Sequence, residues 1–153
     1  MMQEDFDLIH TAQQNFITML DGLSLEQINK VPQGYNNNLI WNFAHVIASL
    51  QGLCYVRQGL KAPLDENFIN KYKGGTKPEG SVDAEQYATI KVYALEGINK
   101  LRADYKAGVF ASFKPFTTMS GFNISSADYA IKYVAFHHGI HTGYAMAIKK
   151  LVI

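Results

Sequence analysis

The sequence predicts an all-α fold, specifically a four-helix bundle, and three observations carry that expectation. Apolar residues recur at helical spacing over four long stretches. Proline, glycine and capping residues punctuate the chain between them. No set of alternating segments reads as strands.

The first stretch covers roughly residues 3–21, where Phe6, Ile9, Phe16, Ile17 and Leu20 fall on one helical face. A short turn at Ser24–Asn29 follows, with Ser24 and Gln27 at capping-box spacing. Pro32 and Gly34 break the chain. The second helix is expected over about 37–58, entered through one of Asn36, Asn37 and Asn38 and stopped at Gly59. Residues 59–80 form a long connection with room for one helical turn near Asp65–Tyr72, long enough to run along the bundle or to cover a site. The third helix, about 83–106, starts at Asp83 with Gln86 three residues on. An aromatic-rich irregular loop, GVFASFKPFTTMSGFN, leads to the fourth, which begins near Ser125 and runs almost to the end. The 153 residues are read as one domain, 1–153.

Composition narrows the function. A hydrophobic fraction of 48% against 18% charged residues fits a globular core. A net charge of +1 offers no broad surface for nucleic acid or anionic membrane. Cys54 is the one cysteine, so no disulfide forms within the chain, which fits a cytoplasmic setting. The acidic start MMQEDFDLIH is unlike a signal peptide, and no membrane span is expected.

Histidine placement carries the chemistry. Three of the five histidines lie in VAFHHGIHTGYAMAIKK, residues 134–150. On a helical wheel His141 projects about 40° from His137, and His138 about 100° from it. The core direction is therefore expected between His137 and His141, with His138 at the edge. An i,i+4 histidine pair suits chelation of a metal, and a partner must come from another helix. His45 is the first candidate, sharing a face with Trp41, Asn42, Ser49, Gly52 and Val56; His10 is the other. A hydrogen-bonded core histidine is the plain alternative, and it is preferred for His10. Ile40, Phe43, Ile47, Leu50 and Cys54 form a second apolar stripe opposite His45. That stripe needs cover, and a homodimer packed through this helix is the expectation, with intrachain cover left open. Trp41 reads as a core anchor, and Cys54 as an inert buried residue. No catalytic carboxylate pair, phosphate loop or nucleophile elbow is present.

The segment LSLEQINKVPQGYNNNLIWNFAHVIASLQGLCYVRQG, with HHGIHTGY near the C-terminus, resembles the DinB/YfiT-like four-helix-bundle metalloenzyme superfamily. The resemblance covers nearly the whole chain in helix order and length. It implies a three-histidine site of His45, His137 and His141, and an up-up-down-down bundle with a long crossover between helices 2 and 3. It also implies zinc or nickel as the ion, zinc first, and frequent homodimers. Tyr144 departs from the pattern, since many relatives carry Gln there. Characterised relatives include transferases and isomerases that use low-molecular-weight thiols. The expected function is thus a metal-dependent hydrolase or thiol S-transferase acting on a small molecule. The alternatives are a non-catalytic, stress-associated metal-binding dimer and a bundle with purely structural histidines. Tyr93, Tyr144 or a loop residue are the candidates for an assisting role, with none preferred.

Overall fold

A computed structural model describes residues 2–153. It is mostly helical: α1 (Met2–Asp21), α2 (Leu25–Asn29), α3 (Leu39–Cys54), a 3-10 turn (Val56–Gln58), α4 (Glu66–Tyr72), α5 (Ala84–Lys106), the two-residue strands β1 (Phe116–Thr117) and β2 (Asn123–Ile124), and α6 (Ala127–Lys149).

The caps explain where the helices begin. Ser24 and Gln27 form the reciprocal box at α2, and Asp83 and Gln86 form another at α5. Asn38 caps α3, its side-chain oxygen accepting from Trp41 N at 2.8 Å. Asp65 caps α4 in the same way through Phe68 N. The cap of α6 is Ser126 rather than the expected Ser125, accepting from Tyr129 N. The chain turns at Gly59 with φ of 71°, a left-handed conformation that suits glycine. The aromatic loop is less irregular than expected: Phe116 pairs with Ile124 and Thr117 with Asn123 in a small antiparallel ribbon.

The four long helices enclose the core. α6 packs on both α1 and α3, and α5 packs on the same two helices. α3 is central and also receives α4, α2 and the 3-10 turn. Every residue of α3 is buried except Ser49, Gly52 and Leu53. The stripe opposite His45 is thus covered within the chain, by α1, α5 and α6, the intrachain cover that is the other expectation, so that stripe offers no exposed face for a dimer. Leu39–Gln58 is long and apolar enough to cross a membrane by composition alone, but 78% of its most apolar window is buried inside the fold.

Between α3 and α5 the packing is close. A Cβ at Gly97 would lie 2.9 Å from Gln51 Nε2, so glycine permits the approach of α5 to this buried amide. Among the described residues, neither end of the Gln51 amide meets a hydrogen-bond partner.

Candidate metal centre

α3 and α6 pack directly on each other, and this contact brings His45 beside His137 and His141. One nitrogen from each of the three lies within 4.8 Å of the others, close enough to hold a metal ion. Their rings stand at 4.5 Å (His45–His141 and His137–His141) and 5.1 Å (His45–His137) between centroids. Among the described residues no carboxylate or thiol joins the cluster.

Neighbouring groups fix which nitrogens carry lone pairs. His45 Nδ1 lies 2.7 Å from the Tyr72 carbonyl, which can only accept. Nδ1 therefore carries the proton and Nε2 is left as the basic nitrogen, facing the Ser49 hydroxyl at 3.3 Å. Trp41 stacks on the same ring at 4.7 Å and 7°, holding its plane. His141 Nδ1 lies 2.8 Å from Asn42 Oδ1. The Asn42 amide is oriented in turn, because its nitrogen donates to Asn37 Oδ1 at 2.9 Å and to the Asn38 carbonyl at 2.8 Å. The asparagine run before α3 thus both caps the helix and sets the tautomer of a histidine on α6. Acceptors behind ligating imidazoles are the usual support of a metal site. His137 is different: its Nδ1 is buried and has no protein partner among the described residues.

The cluster is electrically neutral at pH 7. Burial pushes His137 down to about 3, and the nearby His141 and His45 add to the shift. Burial takes His141 down to about 4, with His45 adding to the effect. His45 is lowered by burial and partly restored by its bond to Tyr72. Neutral imidazoles are the form that ligates metal.

The fate of the other histidines corrects the wheel. His138 is buried at 1% exposure rather than at the edge. Its Nδ1 donates to the Val134 carbonyl at 2.9 Å, and Gln13 Nε2 donates to its Nε2 at 3.3 Å. The buried arc of α6 runs through Ala130, Ile131, Val134, His138 and Ala145, because α6 packs on α1 as well as α3. His137 and His141 flank that arc, half-buried, because they face an opening. His138 is therefore a satisfied core histidine. His10 is half-buried and outside the cluster.

The opening is a cleft of about 1140 Å³. All three site histidines line it, with the Ser49–Gly52–Leu53 strip of α3, the returning segment from Leu60 to Gly74, the ribbon turn Thr118–Ser120 and Ile140 of α6. Tyr133 lines it too, its ring stacked at 6.1 Å from His137 and its hydroxyl 2.9 Å from Ser120 Oγ. Tyr133 escaped the sequence reading although it precedes His137 by four residues and so shares its face; the wheel held the signal. The tyrosines that were considered lie elsewhere: Tyr93 packs on Phe68, and Tyr144 on Tyr35. Trp41 and Cys54 are buried as expected, and burial pushes the Cys54 thiol up to about 12.

No curated protein matches the sequence. The family model described as the DinB superfamily matches residues 8–145, a span that holds the whole histidine cluster and all four long helices but for their outermost ends. The chain therefore belongs to the DinB superfamily.

Proposed function

We propose that His45, His137 and His141 hold a divalent cation, zinc in the first place and nickel as the alternative, and that the protein is a metal-dependent enzyme acting on a small molecule. The observation that carries this reading is the convergence of three neutral imidazoles within 4.8 Å, two of them with Nδ1 pinned by an acceptor. The donor set fits such an ion: three nitrogens without a carboxylate suit zinc and nickel and leave a coordination position for a reactant. The orphaned His137 Nδ1 argues against a purely structural trio, because a buried polar atom left unpaired costs free energy.

A bound cation of this kind lowers the pKa of a water to about 7 or holds a thiol as thiolate, the chemistries of a hydrolase and of a low-molecular-weight-thiol S-transferase. The chain's own residues supply the rest. Asn42 and the Tyr72 carbonyl orient two imidazoles. Trp41 fixes the plane of His45. The Tyr133 and Ser120 hydroxyls provide protic groups at the cleft wall, where no carboxylate stands beside the histidines. The open cleft favours an enzyme over a non-catalytic metal binder, because a closed site needs no cavity of this size. The wider reading keeps the four long helices as an up-up-down-down bundle, and a cytoplasmic homodimer that packs through a surface other than α3.

Metal analysis of untagged protein, followed by zinc and nickel titration of chelator-stripped protein, tests the site. Near-stoichiometric metal and a raised melting temperature are expected; absence of both sinks the reading. A panel of thiol cosubstrates with electrophiles, beside esters and amides, then separates transferase from hydrolase.

A further inference from the structure

The only residues of α3 left unburied, Ser49, Gly52 and Leu53, all line the cleft. Gly52 stands out among them. A glycine inside a helix is less favourable than alanine. Here nothing lies within 4 Å of where its Cβ would be, so no close packing requires it. What glycine preserves is empty space above the helix. The strip continues onto Val56, which is 54% exposed, and Leu60 lines the same cleft. At 1.5 Å per residue, Val56 lies about 16 Å along the helix direction from His45. Beyond it stand Arg57 and Lys61, both on the cleft wall and neither in an ion pair among the described residues. Arg57 is steadied over the Phe116 ring at 5.3 Å.

The cleft also carries Lys73, Glu66 and Asp65, the last with its carboxylate engaged in capping α4. Along the strip of Gly52 and Val56, a trough with the histidine cluster at one end and Arg57 and Lys61 at the other, the occupant is selected by length and by the cations at its far end. We propose that the cleft binds an elongated amphipathic anion. Its aliphatic body, of about ten carbons at roughly 1.2 Å per bond, lies over Gly52 and Val56. Its carboxylate meets Arg57 and Lys61, and its reacting end meets the histidines. The orientation rests on the metal reading above; the chain-binding trough does not.

The probes are n-alkyl hydroxamic acids from four to twelve carbons and their ω-carboxylated counterparts, titrated calorimetrically into zinc-loaded and chelator-stripped full-length protein. Affinity is expected to rise up to about fourfold per methylene as far as about ten carbons, with the ω-carboxylate preferred at that length. Gly52→Leu, which fills the trough, should abolish the rise without lowering the melting temperature. Val56→Asp, at a surface residue, should weaken the longest probes most. Arg57→Ala with Lys61→Ala should remove only the ω-carboxylate preference. A flat dependence on length, a rise that survives both trough variants, or no preference for the ω-carboxylate overturns the proposal. Zinc-dependent binding of the shortest hydroxamate with no gain from length leaves the metal reading standing and the proposal refuted. A length-dependent rise with the same absolute affinities with and without zinc supports the trough and refutes the metal reading. Loss of a dimer in Gly52→Leu with no alkyl binding overturns the proposal in favour of a second copy of the chain.

Discussion

Asn42→Leu tests the architecture of the site without touching a ligand. The wild-type amide accepts from His141 Nδ1 at 2.8 Å and donates at 2.9 and 2.8 Å to Asn37 Oδ1 and the Asn38 carbonyl. It is fully buried, so leucine fits by volume but strands the His141 N–H and Asn37 Oδ1. The Asn38 carbonyl keeps its helical bond from Asn42 N. Two stranded groups at partly buried positions cost about 2 kcal/mol together, at the low end of the range for unsatisfied partners. For a chain of this size that lowers the melting temperature by about 4–8 °C. The larger effect falls on metal affinity, since losing the acceptor behind a ligating imidazole costs about 10–100-fold. Asn42→Asp keeps an acceptor for His141 and is expected to hold zinc within about tenfold of wild type, although its carboxylate faces two oxygens and destabilises the fold. Zinc competition against a chromophoric chelator reads both variants. A folded Asn42→Leu protein with wild-type zinc affinity would falsify the claim that this amide sets the His141 tautomer.

Three further outcomes are expected. His141→Ala should lose metal while keeping the helical circular dichroism spectrum; retained affinity rules out its ligand role. Gln51→Leu should raise the melting temperature, through about 1–3 kcal/mol of added stability, because it removes a buried amide with neither end paired among the described residues; a lowered one shows that the amide is satisfied after all. The metal-free protein should lose stability as pH falls from about 6.5, the unfolded histidine value. Burial holds His138 down to about 4, so between these values the unfolded chain binds the extra proton and is favoured, by on the order of 3 kcal/mol at the acid end for this residue alone. Melts of His138→Gln between pH 7 and 4.5 should show a shallower slope than wild type, and identical slopes dispose of the assignment.

Much of this was legible in the linear chain, for physical reasons. The helices announced themselves through caps: Ser24, Asn38, Asp65 and Asp83 each stand where the sequence placed a helix start. His45, His137 and His141 converge as their spacing and the family resemblance implied. A helical wheel gives each helix one buried direction, and two helices here have more than one. α6 packs on both α1 and α3, which widens its buried arc until it takes in His138. α3 is enclosed from several sides, so its second apolar stripe takes the intrachain cover that the sequence leaves open beside a dimer. Tertiary contacts decide such matters, and a wheel carries none of them. The outward support of the site, Asn42 to His141 and the Tyr72 carbonyl to His45, joins residues 99 and 27 positions apart, beyond any local pattern.

The bond from His45 to the Tyr72 carbonyl has a mechanical consequence. Tyr72 ends α4, and α4 belongs to the connection that walls the cleft. A cation drawing electron density from the far nitrogen of His45 makes its N–H a stronger donor, and so tightens the clasp on α4. By thermodynamic reciprocity, anything that settles α4 into place also favours the cation. On the proposed metal reading the long connection would be a gauge of occupancy: zinc loading is expected to slow the exchange of its amide hydrogens and its proteolysis, although none of the three clustered histidines lies between residues 59 and 80.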